Sequence, residues 1–214
     1  MTKNSDLFNL EGNPLKTFFD KYTYPFEILP NIHSFILELG ETLDPFEYTK
    51  IKDNVWLHKS VTMDDGVEII GPAIIMENVK IRHNAYLRED VIIGKDSVIG
   101  NSCEIKNSIL LGNNQVPHFN YVGDSILGNF VHLGAGVIVS NLRLDKTNIK
   151  IEKMDTNLRK IGAFIGDNVE IGCNSVINPG TIIYPKAIIY PLSIVKKVVH
   201  EEEIYKNNIE VQRI

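Results

Sequence analysis

The sequence predicts an all-β chain wound as a parallel β-helix of hexapeptide repeats, with a short helical N-terminal cap and a C-terminal tail. Every sixth residue is a branched or long aliphatic in the series Ile51, Leu57, Met63, Ile69, Ile75, Ile81, Leu87, Ile93, Ile99, Ile105 and Leu111. A second ladder of mostly small or β-branched residues precedes it by two positions: Val61, Val67, Ala73, Val79, Ala85, Val91, Ser97, Cys103 and Ile109. Glycine recurs directly after the large aliphatic, at Gly94, Gly100 and Gly112 and later at Gly123, Gly128, Gly134, Gly166 and Gly172. Glycine there suits a chain that bends sharply after a very short strand. One six-residue unit cannot bury its own apolar residue, so units must stack. Three of them make a triangular coil, which sets residues one full coil apart at about 4.8 Å along the axis.

Composition narrows the function. The chain has 214 residues and 43% hydrophobic content, enough for one cored domain with terminal extensions. A net charge of −5 argues against general affinity for nucleic acid or anionic membranes. Small molecules and copies of the same chain are the expected partners. The opening Met1-Thr2-Lys3-Asn4-Ser5-Asp6 leads into no apolar signal core, and no long apolar run follows, so a cytoplasmic protein is expected. Cys103 and Cys173 lack metal-type spacing, and Cys103 lies on the small inward ladder as an expected buried thiol.

Residues 1–50 lack the period. The stretches 13–22 and 30–39 read as two short helices, the second ended by Gly40, expected to cover the open end of the solenoid. Residues 51–195 are expected to form the β-helix. After Leu111 the best inward positions are Val116, Val122, Leu127, Leu133 and Val139, so two steps shorten from six residues to five. Such departures from a local rule mark functional or strained places. The period disappears over residues 141–160 and returns at Ile165, Ile171, Ile177, Ile183 and Ile189, which predicts an inserted loop thrown out from a continuing coil. That loop carries Lys146, Lys150, Lys153, Arg159 and Lys160 against Asp145, Glu152 and Asp155, and is either solvated or a cradle for an anionic cofactor. The tail, 196–214, is charged and leaves the repeat, with helix and exchanged strand both open.

Stacking brings chemistry together. Leu87, Ile105, Val122 and Val139 fall in one column, so Arg88 and Lys106, each following its inward residue, stand one above the other outside. Adjacent cations on neighbouring strands repel. A phosphate relieves that repulsion, as do splaying of both side chains into water or pairing with Glu89 or Glu104. Of the six histidines, only His118 lies in the register defect, near Tyr121 and Asn141. A histidine titrating near neutrality can take a proton from an attacking amine or hydroxyl.

The repeats resemble the left-handed β-helix of the hexapeptide-repeat acyltransferases, and the left hand is taken from that resemblance, since parallel crossovers are ordinarily right-handed. The run His118-Phe119-Asn120-Tyr121-Val122-Gly123-Asp124, with Leu133-Gly134-Ala135-Gly136 and Ser140-Asn141, is similar to the acetyltransferase half of the bifunctional N-acetylglucosamine-1-phosphate uridyltransferases and related sugar-1-phosphate enzymes. The resemblance implies His118 as general base, Arg88, Lys106 and Tyr121 on the sugar phosphate, and Asn141 orienting the amino sugar. It also implies acetyl-CoA as co-substrate, with backbone near Ala135 holding the oxyanion and Cys173, Lys146 and Lys150 at the cofactor. Members are homotrimers with sites between subunits. His132 stands where the family often has an asparagine, and Cys173 where it has a serine. No glycine-rich nucleotidyltransferase signature occurs in the sequence.

The implied reaction is N-acetylation of a hexosamine 1-phosphate. Two alternatives differ in class. One is a non-catalytic sugar-phosphate-binding module. The other is a hexapeptide carbonic anhydrase with three histidines on zinc, for which only His83 and His118 share a column, two coils or about 10 Å apart. No metal is expected.

Overall fold

The computed structural model describes residues 1–206 and the backbone of 209–211. From Val55 the chain lays short strands on three walls in turn: Val55–His58 on the first, Thr62–Met63 on the second, Glu68–Ile69 on the third, then Ala73–Ile75 on the first again. Each strand pairs in parallel with its counterpart one coil away, so that Trp56, Ile74 and Ile92 stand in register. The result is a left-handed parallel β-helix of about eight turns. Its interior is one continuous aliphatic core from Val55 to Tyr205. Asn and Asp fill many corners with positive φ, as at Asn84 (+58°) and Asn174 (+56°), because their short side chains tolerate the left-handed region.

The period differs from the sequence reading in two places. Ile51 belongs to an antiparallel lead-in strand, Tyr48–Lys52, laid against Val55–His58, and is 46% exposed rather than interior. Leu110, not Leu111, continues the inward column, in register with Ile93 and Leu127. The cause is a corner closed by Asn107 alone, where the preceding coil uses Glu89 and Asp90. The five-residue steps therefore run from Ile105 to Leu110 and from Val122 to Leu127, both on the edge joining the third wall to the first. Ser108, fully buried, takes the small inward place given to Ile109, and Leu111 turns outward.

The N-terminal helices, Asn4–Leu7, Lys16–Phe19, Pro25–Ile28 and Ile32–Gly40, do not lie over the open end, where Met63 remains 45% exposed. They run along the outside of the first wall against the direction of winding. Thr2 Oγ1 meets Tyr184 Oη at 2.9 Å, Asn13 Nδ2 donates to the Leu111 carbonyl at 3.2 Å, and Gly40 sits against the Trp56 ring. The reason is the outward column of that wall: Trp56, Ile74, Ile92, Ile109, Ile126, Phe164 and Ile182 are all apolar and need cover.

The insertion leaves after Asn141, closes through a bridge between Leu142 and Lys160, and contains the hairpin Lys150–Ile151 with Met154–Asp155. Across it Leu127 pairs directly with Ile165, so the coil resumes in register. The coil also runs past residue 195: Val198–Val199 and Ile204–Lys206 pair with Thr181–Ile183 and Ile188–Ile189, and Ile209–Val211 folds back antiparallel. Residues 207, 208 and 212–214 of the expected tail lie outside the described residues.

Close stacking makes some glycines irreplaceable. A Cβ at Gly100 would stand 1.6 Å from the Pro117 carbonyl oxygen, in the strand that carries His118. Gly100→Ala is expected to destabilise the chain by at least the ~1–3 kcal/mol of core overpacking, read as a lowered denaturation midpoint. An unchanged midpoint would show that the coils are spaced more loosely than described.

Candidate functional site

The outer face of the third wall carries two parallel columns. Tyr86, Glu104, Tyr121 and Ile138 are register partners in one. Arg88, Lys106 and Gly123 follow their inward residues in the other. The stacking of Arg88 on Lys106 is thus as the sequence predicts, but their repulsion is already relieved by protein carboxylates. Arg88 Nη1 donates to Glu104 Oε1 at 3.0 Å, and Glu89 reaches both cations, at 3.5 Å from Arg88 Nε and 3.6 Å from Lys106 Nζ. Burial alone would raise the Glu89 pKa. A backbone hydrogen bond and the charges of Lys106 and Arg88 outweigh it and hold the group below the ordinary carboxylate range. It is therefore ionised at neutral pH, and its pairing is lost only as pH falls through that lowered value.

Beside the cations, Asn141 Nδ2 donates to Tyr121 Oη at 3.0 Å and also to Asp124 Oδ2. Asp124 is only 4% exposed, and its other oxygen accepts from Asn107 Nδ2 at 2.8 Å. Both corner residues that shorten the coil, Asn107 and Asp124, therefore serve to fix Asn141. Gly123 makes room for the arrangement, since a Cβ there would fall 2.5 Å from Tyr121 Oη and 2.7 Å from Asn141 Nδ2. With its oxygen accepting from Asn141, the Tyr121 phenol has its own hydrogen free to donate outward. Burial, then the charges of Asp124 and Glu104, push its pKa up, so it stays a donor.

His118 lies on the neighbouring edge, at the end of Gln115–His118 on the second wall, and a two-residue corner separates it from Tyr121. Backbone bonds align that edge: Phe119 N–H donates to Asn101, Gly136 N–H to His118 and Asn174 N–H to Ala135, all at 2.8–3.0 Å. His118, Ala135 and Cys173 consequently descend one corner on successive coils, with His83 two coils above His118. The His118 imidazole is exposed and has no hydrogen bond among the described residues. Its backbone is held by buried Asn120, whose Oδ1 accepts the His118 N–H at 3.0 Å and whose Nδ2 donates to the Gly134 carbonyl at 2.8 Å. Phe119 turns the corner at φ +53°, a conformation costly for a bulky residue.

The remaining expected positions divide. Lys150 lines a groove of about 1030 Å³ beneath the inserted loop, while Lys146 is outside its lining. His132 sits on the second wall and pairs with Glu170 at 2.7 Å, away from the cation pair. Sequence reasoning assigned no role to Asp124 or Asn120. Their signal was present, for each sits seventeen residues after a polar residue it touches, Asn107 or Cys103, which is one shortened coil.

The side chains of these pairs are 15–39% exposed, so water partly screens each of them. A phosphate, with more charge than a carboxylate and three acceptor oxygens, competes for Arg88 and Lys106. Glu89→Gln is expected to tighten inorganic phosphate binding about threefold to tenfold, measured by titration calorimetry. Equal or weaker binding would mean that Glu89 does not compete for these cations.

The family model described as the GMPPB C-terminal domain matches residues 69–204. The bifunctional sugar-1-phosphate nucleotidylyltransferase/acetyltransferase of Sulfurisphaera tokodaii is 40% identical over 70 residues, covering 31% of this chain and 18% of its own length. Bifunctional protein GlmU of Methanocaldococcus jannaschii is 43% identical over 68 residues, covering 30% and 16%. The matched stretch is thus less than a fifth of either relative. Among solved structures, the polySia-specific acetyltransferase NeuO is similar at a TM-score of 0.43 and 18% identity, covering 72% of this chain and 84% of that one. Matched by the family model over well more than half its length, the chain belongs to the GMPPB C-terminal domain family.

Proposed function

We propose that the chain is an acetyl-CoA-dependent acyltransferase that acetylates the 2-amino group of a hexosamine 1-phosphate. The observation that carries the reading is the convergence of Arg88, Lys106, Tyr121 and Asn141 on one wall, beside the edge that bears His118. Arg88, Lys106 and the Tyr121 hydroxyl hold the phosphate, and the Asn141 amide, anchored by Asp124, orients the sugar. The His118 imidazole, without an internal partner, takes the amine proton as nitrogen attacks the thioester carbonyl. The Ala135 N–H, one coil below and flanked by the bonded N–H groups of Gly134 and Gly136, meets the developing oxyanion. The acetyl–sulfur bond then breaks, and the departing sulfur takes the proton from the His118 imidazolium, so that CoA leaves as the thiol and the base is restored. The names of the Sulfurisphaera tokodaii and Methanocaldococcus jannaschii relatives support the acetyltransferase assignment over the region they share. The proposed assembly is a cytoplasmic homotrimer, with the loop at 141–160 across a neighbour's groove.

The test is thiol release from acetyl-CoA with a panel of hexosamine 1-phosphates and the corresponding unphosphorylated sugars. Release with the phosphorylated amine and little with the neutral sugar is expected. Sugar-phosphate binding without release from any acceptor would establish the non-catalytic module instead. His118→Ala, folded as the parent, is expected to lose about a hundredfold or more in turnover, and full activity in that variant would remove the proposed base.

A further inference from the structure

The edge joining the first wall to the second lies opposite the third wall, and the N-terminal segment leaves a slot of about 510 Å³ against it. Backbone bonds set Glu77, Lys95, Gly112, Asn129 and Asp167 in one column there, with Asn78, Asp96, Asn113, Phe130 and Asn168 beside it at the corner. Gly112 makes the opening, since the rest of its column carries long or polar side chains, and buried Met76 and Leu111 give the slot an apolar floor. The turn at residues 10–13 roofs it and is fastened at both ends. Asn9 N–H donates to Asp167 Oδ2 at 2.7 Å, Asn129 Nδ2 to the Asn9 carbonyl at 2.8 Å, and Asn13 Nδ2 to the Leu111 carbonyl at 3.2 Å. Between those bonds Gly12 stands clear, for a Cβ there would meet nothing within 4 Å.

Two features of the slot serve no contact within the fold. Phe130 is 55% exposed at its lip and turns the corner at φ +60°. That conformation suits Asn or Asp and is strained for a bulky side chain, and the same corner on the coils above and below goes to Asn113 and Asn168. Strain of this kind is characteristic of functional places. The second feature is charge: Glu77 and Lys95 stand on successive coils, about 4.8 Å apart along the axis, yet do not pair. Neither they nor the Asn113 amide, the Tyr48 hydroxyl or the Glu11 carboxylate has a side-chain hydrogen bond or ion pair among the described residues.

We infer that this slot binds an uncharged sugar, with its ring stacked on Phe130 and its hydroxyls on Glu77, Lys95 and Asn113. An anion would gain at Lys95 and be repelled by Glu77 and Glu11, and a cation would gain at the carboxylates and be repelled by Lys95. A hydroxyl donates to a carboxylate and accepts from an ammonium or amide, so a ring rimmed with hydroxyls satisfies both signs at once. Its C–H groups suit the negative face of the phenyl ring. A nucleobase would also stack, but its edge offers too few groups for a carboxylate, an ammonium and an amide together. The cavity is of the size that takes small ligands. The slot is built partly from the N-terminal segment, outside the 69–204 stretch of the family match, and does not depend on the acyl-transfer reading.

The experiment titrates the methyl glycosides of glucose, galactose and mannose into the nitrogen-15-labelled full chain. At least one is expected to move the amide resonances of Gly112, Asn113 and Phe130 saturably, with an affinity unchanged between low and high salt. Phe130→Asn is expected to bind that glycoside at least tenfold more weakly, while its denaturation midpoint rises and thiol release stays at the parent's level. Glu77→Ala and Lys95→Ala, both at exposed positions, are each expected to weaken binding at least threefold. No saturable shift with any of the three glycosides overturns the assignment, as does equal binding by Phe130→Asn. An affinity that falls steeply with salt overturns the uncharged class, and tighter binding of uridine than of any glycoside marks a nucleobase site instead. Shifts that vanish in Arg88→Ala also overturn it, because the sugar would then sit on the third wall.

Discussion

The fixed register between coils is the constraint on which the rest of this molecule depends. Each inward aliphatic must sit directly over another to leave no void, and each strand must hydrogen-bond to the strand one coil away. Once those conditions hold, the wall and face of every residue follow from its count along the chain. Arg88 and Lys106 become neighbours because Leu87 and Ile105 are stacked. The same rule makes one vertical line of His118, Ala135 and Cys173. Function here is read from counting, and a change in corner length shifts the count of every residue downstream while the stacked columns keep their register, as Leu127 over Ile165 shows.

The two shortened corners show how the fold uses that sensitivity. Asn107 and Asp124 each turn the chain alone on the edge where the coil above them both spends two residues, Glu89 and Asp90, and this aligns Asn107 with Asp124 and Asp124 with Asn141. A carboxylate buried with two amide donors is satisfied and rigid. Its rigidity passes to Tyr121 through Asn141. On the other side of Tyr121, buried Asn120 ties the corner of His118 to the coil below. The site is thus supported by short polar residues at corners, while the residues proposed for binding and proton transfer project outward.

Much of this was legible in the sequence, and the unread parts have physical causes. The interior columns from Leu57 to Ile105 could be counted because a strict period leaves one phase that buries every aliphatic. Counting failed at Leu110 and Leu111, where both residues are leucine and either would fill the interior. Only the shortened corner at Asn107 decides between them. The N-terminal segment was misplaced because Ile74, Ile92 and Ile109 sit at positions that ordinarily face solvent. Their apolar outward column was the available sign that the first wall needed cover. The cation pair and its two carboxylate partners were visible, but the choice among phosphate, water and Glu89 or Glu104 depends on side-chain reach, which spacing does not encode.

The electrostatic state of the third wall sets what the site can accept. As it stands, two cations face two carboxylates, and partly buried ion pairs oppose a ligand's entry. A ligand phosphate entering here has to displace Glu89 and Glu104 from the cations. The most direct test is the imidazole resonance of His118 by nuclear magnetic resonance during titration with glucosamine 1-phosphate. A shift of that resonance that saturates with phosphate binding, and disappears in Arg88→Ala, is the predicted result. Saturable binding at Arg88 and Lys106 that leaves the His118 resonance unmoved would contradict the account, because the phosphate grip and the base would then belong to different sites.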